Sequence, residues 1–547
     1  MIFSLIFLAM AEIPTGSTIQ KAASIDIPPD GFTAVSSLIT EIIPEAIPVD
    51  DTQGEGEGLG CDYTYGISDV LVSLDVDQAT ITPQNGYLTL DIVILLSLNS
   101  ATDRFGLDFV VDSCGWFDSA SQCNGYVTPL PVNAQARLDL TLIDPDGDGI
   151  QELDATISNL VLDYTVDAEN FELECVVGSI LDALNWIGVD VYSFVFDLVA
   201  PTLQEELEQE LPELEETIEE AFANATINQE LEIDQTVMTL QLSPEEINIL
   251  PEGLRVSFDG MTNVAETAEC ILSLDTGNSV STPGEPNPIG ELQEQADLGI
   301  AIQDEFVNQA LYSLWRGGVL CQTIDEDTFA LDTSILNLLT GNSFTEIFEE
   351  TKPMILEVIP LSPPTVNMQE SDHVGVSIKD LQLDFITEID HRRVRVLSIS
   401  LEALAELLLN FDANTGLLEG QLQIDPSYVV ATIGSNEFRP NESQQITDSF
   451  VEQFPSILDL VGLEEILGDL TFTLPSVEGI GVNQLLTAST GSAQTDLGLY
   501  SSIGPVPYTG GCSEDGEAGC STTRLPSGKG LLLFMVAILG YLRRRAR

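Results

Sequence analysis

The chain has 547 residues, 89 of them Asp or Glu and only 17 Lys or Arg, for a formal charge of -72. An apolar content of 44% excludes general disorder and allows large cores, and the length suits about two to four domains. Six of the basic residues fall in the last 24 positions, so the intensely acidic body argues against nucleic acid as a partner and reads as a solubilising surface.

Residues 1–23 read as a signal-like segment and leader. MIFSLIFLAMA is apolar and ends small-x-small, though without a basic start, and it predicts export. IDIPPDGFTAVSSLITEII then predicts a strand entering a helix, with Phe32, Val35, Leu38, Ile39, Ile42 and Ile43 on one stripe. After the Gly-rich break DDTQGEGEGLG, Val70, Val72, Leu74 and Val76 alternate with polar residues. Asn85-Gly86 marks a tight turn into a strand over 87–98. Leu138, Leu140 and Leu142, then Ile157, Leu160, Leu162 and Tyr164, continue the sheet.

Between those strands lies the sharpest chemical motif. Asp144, Asp146, Asp148, Gly149 and Glu152 place oxygens at alternate positions, then a turn glycine, then a carboxylate, as a calcium loop does. Ala155 stands where an EF-hand has its last Glu, and strands flank the loop. The two readings are a structural calcium on a β-hairpin and an acidic hairpin turn without metal.

Next comes an amphipathic helix with Leu203, Leu207, Leu211, Leu214, Ile218 and Phe222 on its stripe, glutamates as a solvated face, and Pro212 bending it. Strands follow at 231–242 and 254–258. The Gly-, Pro- and Ser-rich stretch 276–291 reads as a linker.

The second half repeats the order. Leu298 to Cys321 reads as a strand, then a helix over 304–316 with Phe306, Val307, Ala310, Leu311, Leu314 and Trp315 on one face. Asp304 is placed to cap it, Gly317-Gly318 end it, and Tyr312 and Trp315 are packing candidates. Asp30 and Phe32 match Asp304 and Phe306, so the chain contains a repeat. Strands are predicted at 354–359, 374–385, 394–401 and 420–424, a helix at 445–467 and a strand at 470–482.

Eight cysteines in an exported chain suggest disulfides, and Cys114 with Cys123 is the local pairing. With two histidines and no Cys-x-x-Cys, a zinc site is not expected. No G-x-S-x-G, H-E-x-x-H or P-loop occurs, so no enzyme activity is expected.

ADLGIAIQDEFVNQALYSLWRGGVL, with EVIPLSPPTV, VGVSIKDLQLDF and LTFTLPSVEGIGV, resembles the tubular lipid-binding (TULIP) superfamily, and within it the bactericidal/permeability-increasing and lipopolysaccharide-binding family. APTLQEELEQELPELEETI stands where that family has its second long helix. The resemblance spans residues 24 to 500 and implies an α+β fold of two tandem tubular domains, 24–275 and 292–500. Each would be a curved antiparallel sheet wrapped around two long helices, in an elongated boomerang sharing a central sheet. It implies an apolar tunnel for lipids or other apolar small molecules, bound without covalent chemistry. Phe32, Val35, Leu38, Ile39, Phe306, Ala310, Leu311 and Leu314 are the lipid-contact candidates.

The first half carries only Lys21, Arg104, Arg137 and Arg255 between residue 12 and the linker, so endotoxin is not expected as cargo. His391, Arg392, Arg393 and Arg395 form the one basic cluster of the body: either a contact for an anionic head group or a strand turn with local charge balance. Residues 501–529 form a polar Cys-containing linker, and 530–547 an apolar run ending in RRRAR. That end resembles a myxobacterial-type (MYXO-CTERM) sorting tail, with Cys512 or Cys520 at the processing position. The resemblance implies a bacterial, surface- or outer-membrane-attached protein whose terminal helix sits in a membrane until a sorting peptidase removes it; a plain tail anchor is the other reading. A filled tubular core serving structure or adhesion is the alternative to lipid carriage.

Overall fold

A computed structural model describes residues 11–14, 16–33, 36, 46–58, 61–114, 117–145, 147, 149–165, 170–175, 191–223, 227–233, 236–281, 296–325, 331–348, 350–367, 373–424, 426–461, 470–473, 476–477, 480–491 and 496–507. Among them the fold is α+β and mostly antiparallel sheet. Its delineated helices are α1 (Val191–Ala223), α2 (Asp304–Arg316), α3 (Thr333–Leu339) and α4 (Ser443–Val461).

The first sheet runs in the order Ala46–Val49, Val70–Pro83, Leu88–Leu98, Phe117–Ile143, Phe105–Cys114, Cys61–Ser68, Thr52–Gly58, with Glu152–Tyr164 and Phe171–Cys175 also paired to Phe117–Ile143. Period-two alternation sets its inner face: Leu88, Leu90, Ile92, Ile94, Leu96 and Leu98 are all buried while the residues between them stay half exposed. The turn at Asn85-Gly86 stands where expected, with Gly86 at φ +84°. The second-half sheet has the order Gln322–Ile324, Met354–Pro360, His373–Ile389, Arg392–Asp412, Leu417–Ile424, Leu470–Thr473.

Between them lies a central sheet to which each half gives four strands. Its order is Ile227–Ile233, Thr236–Leu250, Gly253–Val264, Ile19–Ile27, Leu298–Ile302, Asp496–Pro505, Ile480–Thr490, Ser476–Val477. The two repeat copies meet in its middle. The offset carrying Asp30 to Asp304 also carries Ile25 to Gly299 and Asp26 to Ile300, and these four pair crosswise, Gly299 opposite Asp26 and Ile300 opposite Ile25. A local two-fold axis therefore passes between those two pairs. The strand Ile19–Ile27 crosses the expected boundary at residue 24, and Asn278–Ser281, within the expected linker, pairs with Ala11–Pro14.

Three expectations are corrected. The predicted strand over 470–482 divides between two sheets: Leu470–Thr473 joins the second-half sheet, while Ser476–Val477 and Ile480–Thr490 join the central one. The sequence has Pro475 and Gly479 within the run, residue types that punctuate strand patterns. The pairing of Cys114 with Cys123 is replaced by Cys123–Cys175, and a second disulfide joins Cys270 to Cys321. Register explains this: Phe105–Cys114 puts Leu107 opposite Cys123, whereas Phe171–Cys175 puts Cys175 directly opposite it. Finally, Asp304 does not occupy the cap of α2. Gln303 does, and Asp304 is the first helical residue, its charge near the positive end of the helix dipole.

The largest apolar cluster fills the space between the first sheet and the central sheet. It includes Ile300, Ile302, Phe306, Val374, Leu497 and Leu499 from the second half. A separate cluster is confined to the second half, where Leu336 and Leu339 of α3 and Ile446, Phe450 and Phe454 of α4 pack on Leu397, Ile399 and Leu401.

Candidate functional site

The candidate contact residues of α2 divide among different packing environments. The Phe306 ring occupies the place of a side chain at Gly260, where a Cβ would come within 2.7 Å of it and 2.6 Å of the Ala22 Cβ. Leu314 packs with Met238, Val264 and Val319, with Leu311 against them. Tyr312 and Trp315 pack on Ile271 and against the Cys270–Cys321 disulfide. Ala310 is buried too.

The polar residues of α2 fasten it to its surroundings. Gln309 accepts from the Thr262 N–H (2.7 Å) and donates to the Ser17 carbonyl (2.8 Å). Asn308 accepts from the Val366 N–H, and Trp315 Nε1–H donates to the Pro360 carbonyl at 2.8 Å. At its C-terminus, Arg316 donates to Asp275 and Thr267, and Tyr312 OH donates to Asp275. Burial alone would raise the Asp275 carboxyl, but hydrogen bonds from Tyr312, the Gly277 backbone, Thr267 and Arg316 outweigh it and hold the pKa below the ordinary 3.8. Burial and the same carboxylate push the Tyr312 phenol up. Gly318, at φ +80°, ends the helix where a Cβ would strike Ala268. Of the face expected to line a tunnel, Phe306, Ala310 and Leu314 are buried in protein, while Val307 and Leu311 are half-buried.

On the first repeat, Phe32 is buried in the large cluster, following the turn Pro29–Gly31. Ser36 hydroxyl donates to the Phe32 carbonyl and accepts from the Ile81 N–H. Val35, Leu38 and Ile39 lie outside the described residues.

Helix α1 brings the expected stripe to the first sheet, running through Pro201 and Pro212. Val195, Leu203 and Leu207 are buried, whereas Leu211, Leu214 and Ile218 are half-buried. Beside them, Leu153, Ala155 and Ile157 of the strand Glu152–Tyr164 are buried, and Leu160, Leu162 and Tyr164 half-buried. The glutamates of α1 are not all a solvated face. Glu215 Oε1 accepts the Ile157 N–H and Glu219 Oε1 accepts the Ala155 N–H. Sequence reasoning missed these two roles, although their spacing of one helical turn was a signal.

In the acidic hairpin, Asp144 accepts from the Gly147 and Gly149 N–H groups, and Glu152 is exposed at the start of its strand. Asp146 and Asp148 lie outside the described residues, among which no three His, Cys, Asp or Glu side chains are grouped to hold a metal. The basic cluster forms a hairpin: Asp390 and His391, at φ 51° and 61°, make a two-residue turn between Ile389 and Arg392. Arg395 pairs with the buried Asp384 at 2.8 Å, which is local charge balance, and His391 Nδ1 lies 3.2 Å from Glu388 Oε1. Cys512 and Cys520 lie outside the described residues, as does the apolar run 530–542. No helix among the described residues is long and apolar enough to cross a membrane.

No protein-family model and no curated protein matches the chain. Among solved structures it is similar to the crystal structure of lipopolysaccharide binding protein, at 14% sequence identity and a TM-score of 0.48, over 89% of this chain and 100% of that one.

Proposed function

We propose that the chain is an exported, surface-attached lipid-binding protein that holds acyl chains in the apolar interior of its first half, without covalent chemistry. The observation that carries the reading is the half-covered seam between α1 and the first sheet. Leu211, Leu214 and Ile218 of the helix and Leu160, Leu162 and Tyr164 of the strand all pack against the large cluster, and all six remain half-buried beside a fully buried core. Each chain methylene completing that burial would contribute about 0.8 kcal/mol. In this reading the two halves are tandem tubular domains in an elongated body, the C-terminal tail anchors the protein until processing, and the 144–152 hairpin takes a structural calcium. Native mass spectrometry of the purified protein, with uptake of a fluorescent fatty acid, tests it. Repeated absence of both co-purifying lipid and uptake would overturn it.

A second reading, a structural or adhesive surface protein with a filled core, is favoured by the burial of Phe306, Ala310 and Leu314 of α2 within protein. Under it the second half takes no cargo, and the fatty-acid probe would be excluded by both halves.

A further inference from the structure

Among the described residues, the strand Glu152–Tyr164 has a strand partner on one side only, Phe117–Ile143. The Ala155 and Ile157 amides point away from that partner and end on α1, at 3.0 Å from Glu219 Oε1 and 2.5 Å from Glu215 Oε1. The spacings agree. Four residues of helix advance about 6 Å, and two residues of strand about 6.6 Å. Two glutamates one turn apart therefore reproduce the acceptor spacing of a missing neighbouring strand, and they close a sheet edge that would otherwise be open to pairing. The higher-numbered glutamate takes the lower-numbered amide, so α1 runs antiparallel to the strand it covers.

The same helix buries Leu203 and Leu207 in the large cluster and leaves Leu211, Leu214 and Ile218 half-covered. It is thus both the seal of the edge and one wall of the seam. Exposed Glu208 and Glu216 lie on the same helix; Glu208 takes a hydrogen bond from Gln204 on α1 itself, and neither holds the strand.

We propose that α1 is a hinged cover clamped to the free edge of Glu152–Tyr164 by Glu215 and Glu219, and that release of this clamp admits an acyl chain to the interior. The proposal rests on the first-half interior being the ligand site. The clamp acts through two charge-assisted hydrogen bonds, so neutralising the carboxylates without changing their shape weakens it.

Hydrogen–deuterium exchange by mass spectrometry on the full chain, paired with fluorescent fatty-acid uptake, tests this with E215Q/E219Q against the control E208Q/E216Q. Exchange in peptides covering 152–158 is expected to rise about tenfold or more in the clamp variant and to stay unchanged in the control, with faster probe uptake in the clamp variant alone. Each single substitution should give an intermediate rise. Protection of the Gly253–Val264 strand reports that the fold persists. Unchanged exchange in the clamp variant, or an equal rise in the control, would overturn the proposal. A rise confined to the clamp variant, with no probe taken up by any protein, supports the clamp and overturns the lipid reading instead.

Discussion

Phe306→Ala separates a filled core from a ligand wall at α2. The ring is 1% exposed and lies on Gly260 and Ala22 of the central sheet. Removing it forfeits about 1.5–3 kcal/mol of transfer free energy, and the cavity left behind raises the cost to about 3–5 kcal/mol. The upper part of that range is expected, because Gly260 and Ala22 have too little side chain to move into the space. Denaturant unfolding followed by circular dichroism measures the loss as a fall in midpoint. The same variant should gain no uptake of a fluorescent fatty acid. A loss below about 1 kcal/mol, together with new or faster uptake, would refute the view that α2 is packed against protein and would make it a wall of the ligand site.

Further outcomes follow from the fixed points of the fold. Reducing either disulfide, each closing a loop of just over fifty residues, should cost about 4 kcal/mol on the chain-entropy account; an unchanged melting temperature under reductant would contradict it. The Asp275 carboxyl is held below 3.8, so its stabilising contribution is complete above that value and is lost as pH falls through the lower folded value. Asp275→Asn should flatten the acid limb of a stability–pH profile, and an unaltered limb would show the network to be inert. Arg395→Ala leaves the buried Asp384 carboxylate without its cation and should lower stability by about 1–3 kcal/mol, while Arg392→Ala and Arg393→Ala stay within about 0.5 kcal/mol. Calcium is expected to protect the 144–152 hairpin from proteolysis, with the protection lost in Asp144→Asn; identical digestion with calcium and with chelator would remove the metal from the proposal.

Local signals carried much of the fold. The stripe of α2 and its Gly317-Gly318 end were legible because helix period and glycine stop coincide, and Asn85-Gly86 marked its turn through a backbone preference that few other residues share. Long-range choices were not legible. Cys123 has a neighbour in sequence at Cys114 and a partner in space at Cys175, and only the register of Phe117–Ile143 decides between them. The turn at Asp390 and His391 was one of two readings of the basic cluster, and the sequence left it undecided because neither residue is glycine and the arginines beside it equally suit an anionic head group. Glu215 and Glu219 were lost among many glutamates of the same helix, since composition cannot tell a carboxylate facing water from one facing a strand amide. Apolar residues such as Leu314 look identical in sequence whether they touch a ligand or Met238.

The two-fold axis between Ile25–Ile300 and Asp26–Gly299 bears on what an isolated half would do. Cut within 276–291, the first half would present Ile19–Ile27 as a bare edge, with every group that now binds Leu298–Ile302 free to bind another strand. The strand best shaped to fill that vacancy is its own equivalent on a second molecule, because the repeat already pairs the two positions crosswise. The approximate symmetry inside one chain would then become the true symmetry of a homodimer, with the interface running through the centre of an eight-stranded sheet.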